Sequence, residues 1–340
     1  MNLADLNKVA VAMTANGKGI LAADESTGTI KKRFDAIGVE NTEDNRRDYR
    51  ELMFRTAEAM KNSISGVILY DETIWQKAKD GTPLVKIIEQ MGAIPGIKVD
   101  EGTKPLPNCP GELITAGLDK LPDRLPKYYE AGARFAKWRA VIDIGAGIPS
   151  YTAISTNAHA LARYAALCQA NQIVPIVEPE VLMDGEHDAD QCYMVTEFML
   201  KETFQQLYYQ KVALEGIVLK PNMVVPGKKS TKKASVQEVA EKTVKLLKAC
   251  VPGAVPGIAF LSGGQSDEEA TAHLDAMNKI GNLPWNLTFS YGRALQAAPQ
   301  KAWSGKAGNV AAAQAAFTHR AKMNSLAAKG EWKKDMEKAA

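Results

Sequence analysis

Short runs of apolar, mostly β-branched residues alternate along the chain with longer stretches of helical periodicity. Eight such runs recur at intervals of roughly 30 to 45 residues. They begin at Gly19, Ile64, Ile94, Arg134, Ile173, Glu215, Gly257 and Asn286. Near-continuous apolar runs favour a parallel sheet buried on both faces over a half-exposed antiparallel sheet. Eight parallel strands with crossover helices describe an α/β fold, a single (β/α)8 TIM barrel.

Helix signals lie between these runs. Asn41 and Thr42 are capping residues followed by acidic side chains, a pattern that predicts a helix start. Residues 310–328 are rich in alanine and predict another helix, within a helical tail expected at about 300–340. No polar low-complexity linker divides the chain, so residues 1–340 are expected to form one domain.

Composition narrows the class of protein. Apolar residues make up 46% and charged residues 24%, as in soluble globular proteins. A net charge of +3 is too small to indicate a nucleic-acid-binding protein, although it is compatible with a local basic pocket for an acidic small molecule. No run of 18 apolar residues indicates a membrane span, and the first residues do not resemble a signal peptide. The four cysteines lack metal or disulfide spacing, so we expect free thiols and a cytoplasmic location.

Lys220 closes the apolar run that begins at Glu215. An ammonium group there would lose hydration, which favours the neutral amine and makes Lys220 a candidate nucleophile toward a carbonyl group. The alternative is a lysine that extends its side chain into solvent from the end of a strand.

Further charged residues lie within or just after the predicted strands, where a barrel interior normally holds Val, Ile or Leu. Because side chains alternate along a strand, Lys137 and Arg139 share one face, as do Glu178 and Glu180. A structural layer of salt bridges would account for either pair alone. Convergence of several charged residues on one cavity favours a functional site instead. These residues are Asp24, Lys98, Lys137, Arg139, Glu178, Glu180, Lys220 and Arg293.

Two glycine-bearing turns follow the seventh and eighth strands. The first contains Ser262 and Gly263, and the second contains Ser290, Gly292 and Arg293. Glycines let backbone N–H groups approach an anion, and arginine can grip two phosphate oxygens. Since TIM barrels often bind phosphate after these strands, we predict a phosphate site here.

A second anion site is predicted across the mouth of the barrel. Its candidate residues are Ser26, Thr29 and Arg33, together with Lys98 and Arg139. Hydroxyl groups before a helix are also ordinary capping residues, so a purely structural role stays open for this loop. Two anion sites facing a central lysine would suit a substrate phosphorylated at both ends.

The remaining polar features carry less weight. His159, His187, His273 and His319 show no metal-ligand spacing, so no metal is predicted. The acidic loop 184–190 is expected to be a solvated turn. The lysine cluster of Lys228, Lys229, Lys232 and Lys233 is expected on an exposed loop after the sixth strand.

With these residues in place, the chain closely resembles class I fructose-1,6-bisphosphate aldolases from about residue 10 to about residue 330. The ordered motifs that carry the resemblance are GKGILAADESTGTI from Gly17, ENTEDNRRDYR from Glu40, GIKVDEG from Gly96, FAKWR from Phe135, PIVEPE from Pro175, LKPNM from Leu219, FLSGGQ from Phe260 and SYGRALQ from Ser290.

The resemblance implies a metabolic enzyme of glycolysis and gluconeogenesis that uses neither metal nor organic cofactor and assembles as a homotetramer. It implies an imine on Lys220, proton transfer by Glu178 and Lys137, and action of Asp24 at the substrate hydroxyl. Glu180 would lie beside the lysine and support the charge network. By the same resemblance, Ser262, Gly263, Gly292 and Arg293 would hold the 1-phosphate near Ser290, whereas Thr29, Arg33, Lys98 and Arg139 would serve the other end.

Two departures from the family pattern are visible. Thr29 stands where the family commonly has serine, which keeps the hydroxyl and adds a methyl group. Many relatives end in a mobile segment with a terminal tyrosine that exchanges a proton on the enamine, whereas residues 333–340 offer no counterpart. We expect Glu178 or water to protonate the enamine instead.

Three other readings stay open at this level. A transaldolase-like or sugar-phosphate lyase barrel would share the imine chemistry, and a metal-dependent aldolase would share the reaction. A catalytically silent sugar-phosphate-binding protein would keep the binding residues alone, although the intact Lys220, Glu178 and Asp24 argue against it.

Overall fold

A computed structural model describes residues 1–338 of the 340. Eight parallel strands close into a barrel in the order β1-β2-β3-β6-β7-β8-β9-β10, with β10 pairing back to β1. The predicted (β/α)8 fold is therefore confirmed. The strands are β1 Gly19–Ala23, β2 Ile64–Leu69, β3 Ile94–Lys98, β4 Thr103–Pro105, β5 Leu113–Thr115, β6 Phe135–Ile142, β7 Val174–Val181, β8 Val218–Leu219, β9 Gly257–Phe260 and β10 Asn286–Tyr291.

Helices separate the barrel strands and pack around the sheet, and one further helix precedes β1 while two follow β10. They are α1 Leu3–Met13, α2 Thr27–Asp35, α3 Glu43–Phe54, α4 Ala57–Ser63, α5 Asp71–Trp75, α6 Leu84–Gln90, α7 Leu121–Glu130, α8 Tyr151–Ala170, α9 Ala189–Tyr209, α10 Val236–Cys250, α11 Asp267–Ile280, α12 Arg293–Trp303 and α13 Val310–Ala328. Short 3₁₀ turns occupy Leu214–Gly216, Ala307–Asn309 and Lys334–Lys338. None of the helices within residues 1–338 combines the length and apolar character needed to span a bilayer.

Local capping explains where several helices begin. The Thr42 hydroxyl accepts a hydrogen bond from the Asn45 N–H at 3.1 Å, which confirms the helix predicted at this point. Ser266 and Asp188 each form a reciprocal capping box at the start of α11 and α9. Because these caps satisfy exposed N–H groups, short sequence motifs set the helix boundaries.

The segment in which the helical tail was expected contains several separate elements. α13 covers the residues predicted as helical, and α12 begins at Arg293. Beyond α13 the chain forms only the 3₁₀ turn at Lys334–Lys338, while residues 339 and 340 of the expected tail lie outside the described residues.

Two features differ from the simple eightfold pattern. The sixth predicted strand is short, because Leu214–Gly216 forms a 3₁₀ turn and only Val218–Leu219 pairs as a strand. A small antiparallel hairpin of β4 and β5 follows β3 and lies outside the barrel sheet. Both features depend on which residues form hydrogen-bonded pairs, which the apolar run pattern does not encode.

The lower half of the barrel, at the N-terminal ends of its strands, is apolar. Inward-facing side chains from the first part of the strands, such as Phe135, Val174 and Val218, form one buried cluster with Leu6 and Met13 of α1. Helix α1 therefore closes the N-terminal end of the barrel. The outward-facing residues belong to a second, larger cluster with the surrounding helices. The open end of the barrel is thus the C-terminal one, where active sites of this architecture lie.

Candidate active site

A cavity of about 500 Å³ opens at the C-terminal end of the barrel strands. Every residue that the sequence singled out as a catalytic or binding candidate lines it. They are Asp24, Ser26, Thr29, Arg33, Lys98, Lys137, Arg139, Glu178, Glu180, Lys220, Ser262, Gly263, Ser290, Gly292 and Arg293.

Side-chain alternation explains why charges meet here. Along β7, Val174 and Ile176 face the apolar lower half of the barrel, and the inward-facing positions beyond them are Glu178 and Glu180. The adjacent strand β6 follows the same rule, with Phe135 below and Lys137 and Arg139 above. Each inward row therefore changes from apolar to charged toward the C-terminal end of the strand.

Lys220 is held at the end of β8. Its backbone N–H donates to the Val177 carbonyl at 2.8 Å, which continues the pairing with β7. The residue is only 4% exposed, and its Nζ lies 3.3 Å from Glu178 Oε1. The ammonium or amine group thus has a carboxylate beside it and little contact with water.

Lys137 connects two carboxylates on opposite sides of the cavity. Its Nζ lies 3.0 Å from Asp24 Oδ2 and 3.4 Å from Glu178 Oε2. Since Glu178 contacts both Lys220 and Lys137, the four side chains form a continuous row of ion pairs from Lys220 to Asp24.

The two lysines respond differently to this setting. Burial lowers the pKa of Lys220; the Glu178 carboxylate opposes this and Lys137 reinforces it, so the pKa lies below that of an ordinary lysine. Burial also acts to lower the pKa of Lys137, but its two carboxylate neighbours, Asp24 and Glu178, outweigh burial and the pKa is raised. Lys220 is therefore the better source of free amine, and Lys137 is the fixed cation.

Asp24 is ionised at neutral pH. Burial alone would raise its pKa, but the positive charges of Lys137, Lys220 and Lys98 together hold the pKa below its usual value. The folded state loses this stabilisation only as the pH falls toward the lowered value. Asp24 is consequently a carboxylate that accepts the hydrogen bond donated by Lys137 Nζ.

The remaining charges form pairs at the cavity wall. Arg139 donates to the Glu180 carboxylate, and Lys98 lies 3.4 Å from Asp100. Glu180 therefore pairs with Arg139, whereas Glu178 is the carboxylate in contact with Lys220. The contacts among Lys220, Glu178, Lys137 and Asp24 are thus distinct from the flanking Arg139–Glu180 pair.

The turns after β9 and β10 come together on one side of the cavity. Gly263 and Gly264 adopt φ values of +46° and +82°, a backbone conformation that favours glycine. The buried Ser290 hydroxyl has no hydrogen-bond partner in the described residues. Arg293 donates to the Gln265 carbonyl and lies 3.9 Å from Asp267. Backbone N–H groups, an available hydroxyl and a guanidinium can together bind a phosphate group.

The loop before α2 supplies the second group of candidates. The Ser26 hydroxyl caps α2 by accepting from the Thr29 N–H, and the two hydroxyl oxygens lie 3.1 Å apart. Arg33 pairs with Glu25. The Arg33 guanidinium also lies close to Gly292, since a β-carbon placed on Gly292 would be 3.7 Å from Arg33 Nη2. Ser26 therefore both caps α2 and lines the cavity.

Four charged residues in the cavity were not among the candidates, namely Glu25, Asp100, Asp184 and Lys228. Asp100 lies two residues after Lys98, and this spacing was a usable signal because alternate residues share a face. Glu25 follows Asp24 directly and gave no such signal. Lys228 belongs to the lysine cluster that the sequence placed on an exposed loop.

The sequence predicted no metal site, because its histidines lack metal-ligand spacing. Within residues 1–338, no three His, Cys, Asp or Glu side chains group closely enough to hold a metal ion. The four cysteines are free thiols, as expected, and two of them are buried.

Comparisons with known proteins place this geometry in context. A family model described as fructose-bisphosphate aldolase class-I matches residues 5–340. The chain is 59% identical over 334 residues to a probable fructose-bisphosphate aldolase class 1 of Xanthomonas campestris, covering 98% of this chain and 100% of that protein. It is 56% identical over 322 residues to the cytosolic fructose-bisphosphate aldolase 4 of Arabidopsis thaliana, covering 94% of this chain and 82% of that protein.

A solved structure is also similar. It is fructose-bisphosphate aldolase from Plasmodium falciparum, crystallised with TRAP and a small-molecule inhibitor. The TM-score is 0.95 and the sequence identity 49%, with 97% of this chain and 96% of that chain covered.

Proposed function

Since the chain belongs to the class I fructose-bisphosphate aldolase family and is a lyase, we propose that it cleaves fructose 1,6-bisphosphate reversibly through an imine on Lys220. The products are dihydroxyacetone phosphate and glyceraldehyde 3-phosphate. The observation that carries the proposal is the buried Lys220, whose pKa is lowered mainly by burial and whose Nζ contacts Glu178.

Imine formation begins with proton transfer inside this contact. Lys220 gives a proton to Glu178, and the free Nζ attacks the substrate ketone at carbon 2. Glu178 then returns the proton to the departing hydroxyl, which leaves as water, and the protonated imine forms. Lys137 lies 3.4 Å from Glu178 and stabilises its carboxylate after each transfer.

Carbon–carbon cleavage uses the imine as an electron sink. Asp24 accepts the proton of the 4-hydroxyl, and the electron pair of the bond between carbons 3 and 4 moves into the imine. Glyceraldehyde 3-phosphate leaves and a neutral enamine remains. A proton from Glu178 or water adds to carbon 3, and hydrolysis of the imine releases dihydroxyacetone phosphate. No organic cofactor is required because the imine itself supplies the electron sink.

The phosphate ends of the substrate are assigned to the two cation-rich walls of the cavity. We assign the 1-phosphate to Ser262, Gly263, Gly292 and Arg293, with Ser290 beside them. We assign the other phosphate to the wall that contains Ser26, Thr29, Arg33, Lys98 and Arg139, and Glu180 holds Arg139 in place. The convergence of these residues on one cavity supports the assignment.

Broader properties follow from the same proposal. The enzyme would act in glycolysis and gluconeogenesis in the cytoplasm, as the names of cytosolic plant relatives support. Residues 1–340 would form one domain and assemble as a homotetramer, without nucleic-acid or membrane partners. Light scattering of the purified protein measures the assembly directly.

Borohydride trapping tests the proposed chemistry. With dihydroxyacetone phosphate present, we expect borohydride to inactivate the enzyme irreversibly, because hydride adds to the imine carbon and leaves a stable secondary amine. Peptide mapping should find the label on Lys220. The control omits the sugar phosphate, and a chelator should not change turnover. A label on Lys137 would overturn the residue assignment, and chelator-sensitive turnover without any label would overturn the imine mechanism.

The lowered pKa of Lys220 predicts the pH dependence of imine formation. Below this pKa the group is an ammonium without a free electron pair, so the rate of trapping should rise as the pH increases through it. The midpoint should lie below the ordinary lysine value of about 10.4. Single-turnover trapping between pH 6 and pH 10 measures it, with free lysine as the reference. A midpoint equal to that of free lysine would contradict the prediction.

A further inference from the structure

The turn after β9 brings the backbone of Gly263 and Gly264 to the cavity wall. The N–H groups of Gly263 and Gly264 donate to no protein acceptor within residues 1–338, and Gln265 closes the turn by donating to the Ser262 carbonyl at 2.9 Å. Successive N–H groups in such a conformation form a concave site for an anion. Arg293 is the cation that the sequence assigns to it.

A second cation lies over the same turn. Lys228 lines the cavity, and a β-carbon placed on Gly264 would lie 2.7 Å from the Lys228 Nζ. Because Gly264 has no side chain, the Lys228 ammonium comes directly against the backbone of the turn. The lysine cluster that the sequence placed in solvent therefore sends one member into the cavity.

The backbone around Lys228 is fixed by neighbouring hydrogen bonds. The Lys228 N–H donates to the Met183 carbonyl at 2.7 Å, and the Gly227 N–H donates to the His187 carbonyl at 2.8 Å. Lys229 is held in the same way by the Gly185 carbonyl at 3.1 Å, but its side chain does not line the cavity. The segment thus directs one lysine inward and the next one away.

The counter-ion of Lys228 is exchangeable. Its Nζ lies 2.8 Å from Asp184 Oδ1, and the two side chains are 50% and 61% exposed. By contrast, Lys137 and Lys220 pair with carboxylates that are almost fully buried. An exposed pair is weak because water screens it, so a phosphate dianion at the turn can displace the single carboxylate.

We propose that Lys228 is a further substrate-binding residue that contacts the phosphate at the Ser262–Gly264 turn, and that Asp184 competes with this phosphate for its ammonium group. The inference rests on the proposed function, since it assigns a residue to the 1-phosphate of that substrate. Lys228 acts on binding, because its Nζ lies at the rim and makes no ion pair with Lys220, Glu178 or Asp24.

Steady-state kinetics at low salt test this proposal. For Lys228→Met we expect KM to rise about tenfold for both fructose 1,6-bisphosphate and fructose 1-phosphate, with kcat little changed, since a charge-assisted contact is lost from both substrates. The matched control Lys229→Met removes the same charge from the adjacent residue and should leave KM as in the parent. Asp184→Asn should lower KM, and it should have no effect when combined with Lys228→Met.

Each contrary result is specific. Equal changes in Lys228→Met and Lys229→Met would attribute the effect to surface charge and overturn the proposal. A rise in KM for the bisphosphate alone would place Lys228 at the other phosphate and also overturn it. Calorimetric binding of dihydroxyacetone phosphate to the same variants needs no turnover. If the parent proved inactive, the proposed function would fail while this binding comparison still decided the role of Lys228.

Discussion

Lys220→Met should abolish turnover while leaving the fold and phosphate binding intact. Removing the group that forms the covalent intermediate costs on the order of 10⁵-fold or more in kcat, because no other side chain replaces it. The phosphate residues Ser262, Gly292 and Arg293 remain in place, so dihydroxyacetone phosphate should still bind. Turnover, borohydride trapping and calorimetric binding on one preparation measure the three properties separately.

The control for this variant is Lys248→Met, an exposed lysine on α10 that lies outside the cavity. It should keep parental activity and trapping, and both variants should have the parental circular dichroism spectrum. Retention of a label or of substantial turnover in Lys220→Met would show that another amine forms the imine. Lys137 is the nearest alternative, since it contacts the same carboxylate of Glu178.

Glu178→Gln should have the second largest effect. An amide keeps the shape of the side chain but cannot carry a proton between Lys220 and the departing hydroxyl, so kcat should fall by about 10²–10⁴-fold. KM should change less, because Glu178 is not assigned to either phosphate. Rapid-quench measurement of imine formation separates this slow step from cleavage.

The pH profile distinguishes proton transfer from a general structural defect. The Glu178 carboxylate raises the pKa of Lys220, so its removal should move the trapping midpoint to lower pH even as the rate falls. Glu186→Gln, on an exposed position of the loop before α9, is the matched control and should keep the parental profile. An unshifted midpoint in Glu178→Gln would mean that its carboxylate does not interact with Lys220 in solution.

The barrel interior contains two layers, an apolar layer that contributes to stability and a charged layer that lines the cavity. Phe135, Val174 and Val218 help fill the lower half of the barrel with α1, whereas Lys137, Glu178 and Lys220 lie further along the same inward rows, toward the C-terminal ends of the strands. A rigid apolar layer therefore supports each charged side chain from below. Because buried charges are costly to leave unpaired, this layer of ion pairs depends on accurate placement of its partners.

The fold was accessible from sequence because its signals are local. All eight apolar runs correspond to barrel strands, and the capping residue Thr42 correctly indicates the start of α3. The hairpin of β4 and β5 and the short β8 were not predicted. Apolar periodicity reports burial, and it does not report which segments pair or where the pairing ends.

The sequence by itself determined which strands carry the charged residues and which of these residues share a face. Alternation placed Lys137 with Arg139 and Glu178 with Glu180 on inward faces, and the strand ends placed Lys220, Ser262 and Arg293 at one edge. Only the tertiary structure decided that Glu178 contacts both lysines, that Glu180 pairs with Arg139, and that Lys228 turns into the cavity while Lys229 does not. The physical reason is that ion pairing and desolvation depend on distances between segments far apart in the chain, which local periodicity does not contain.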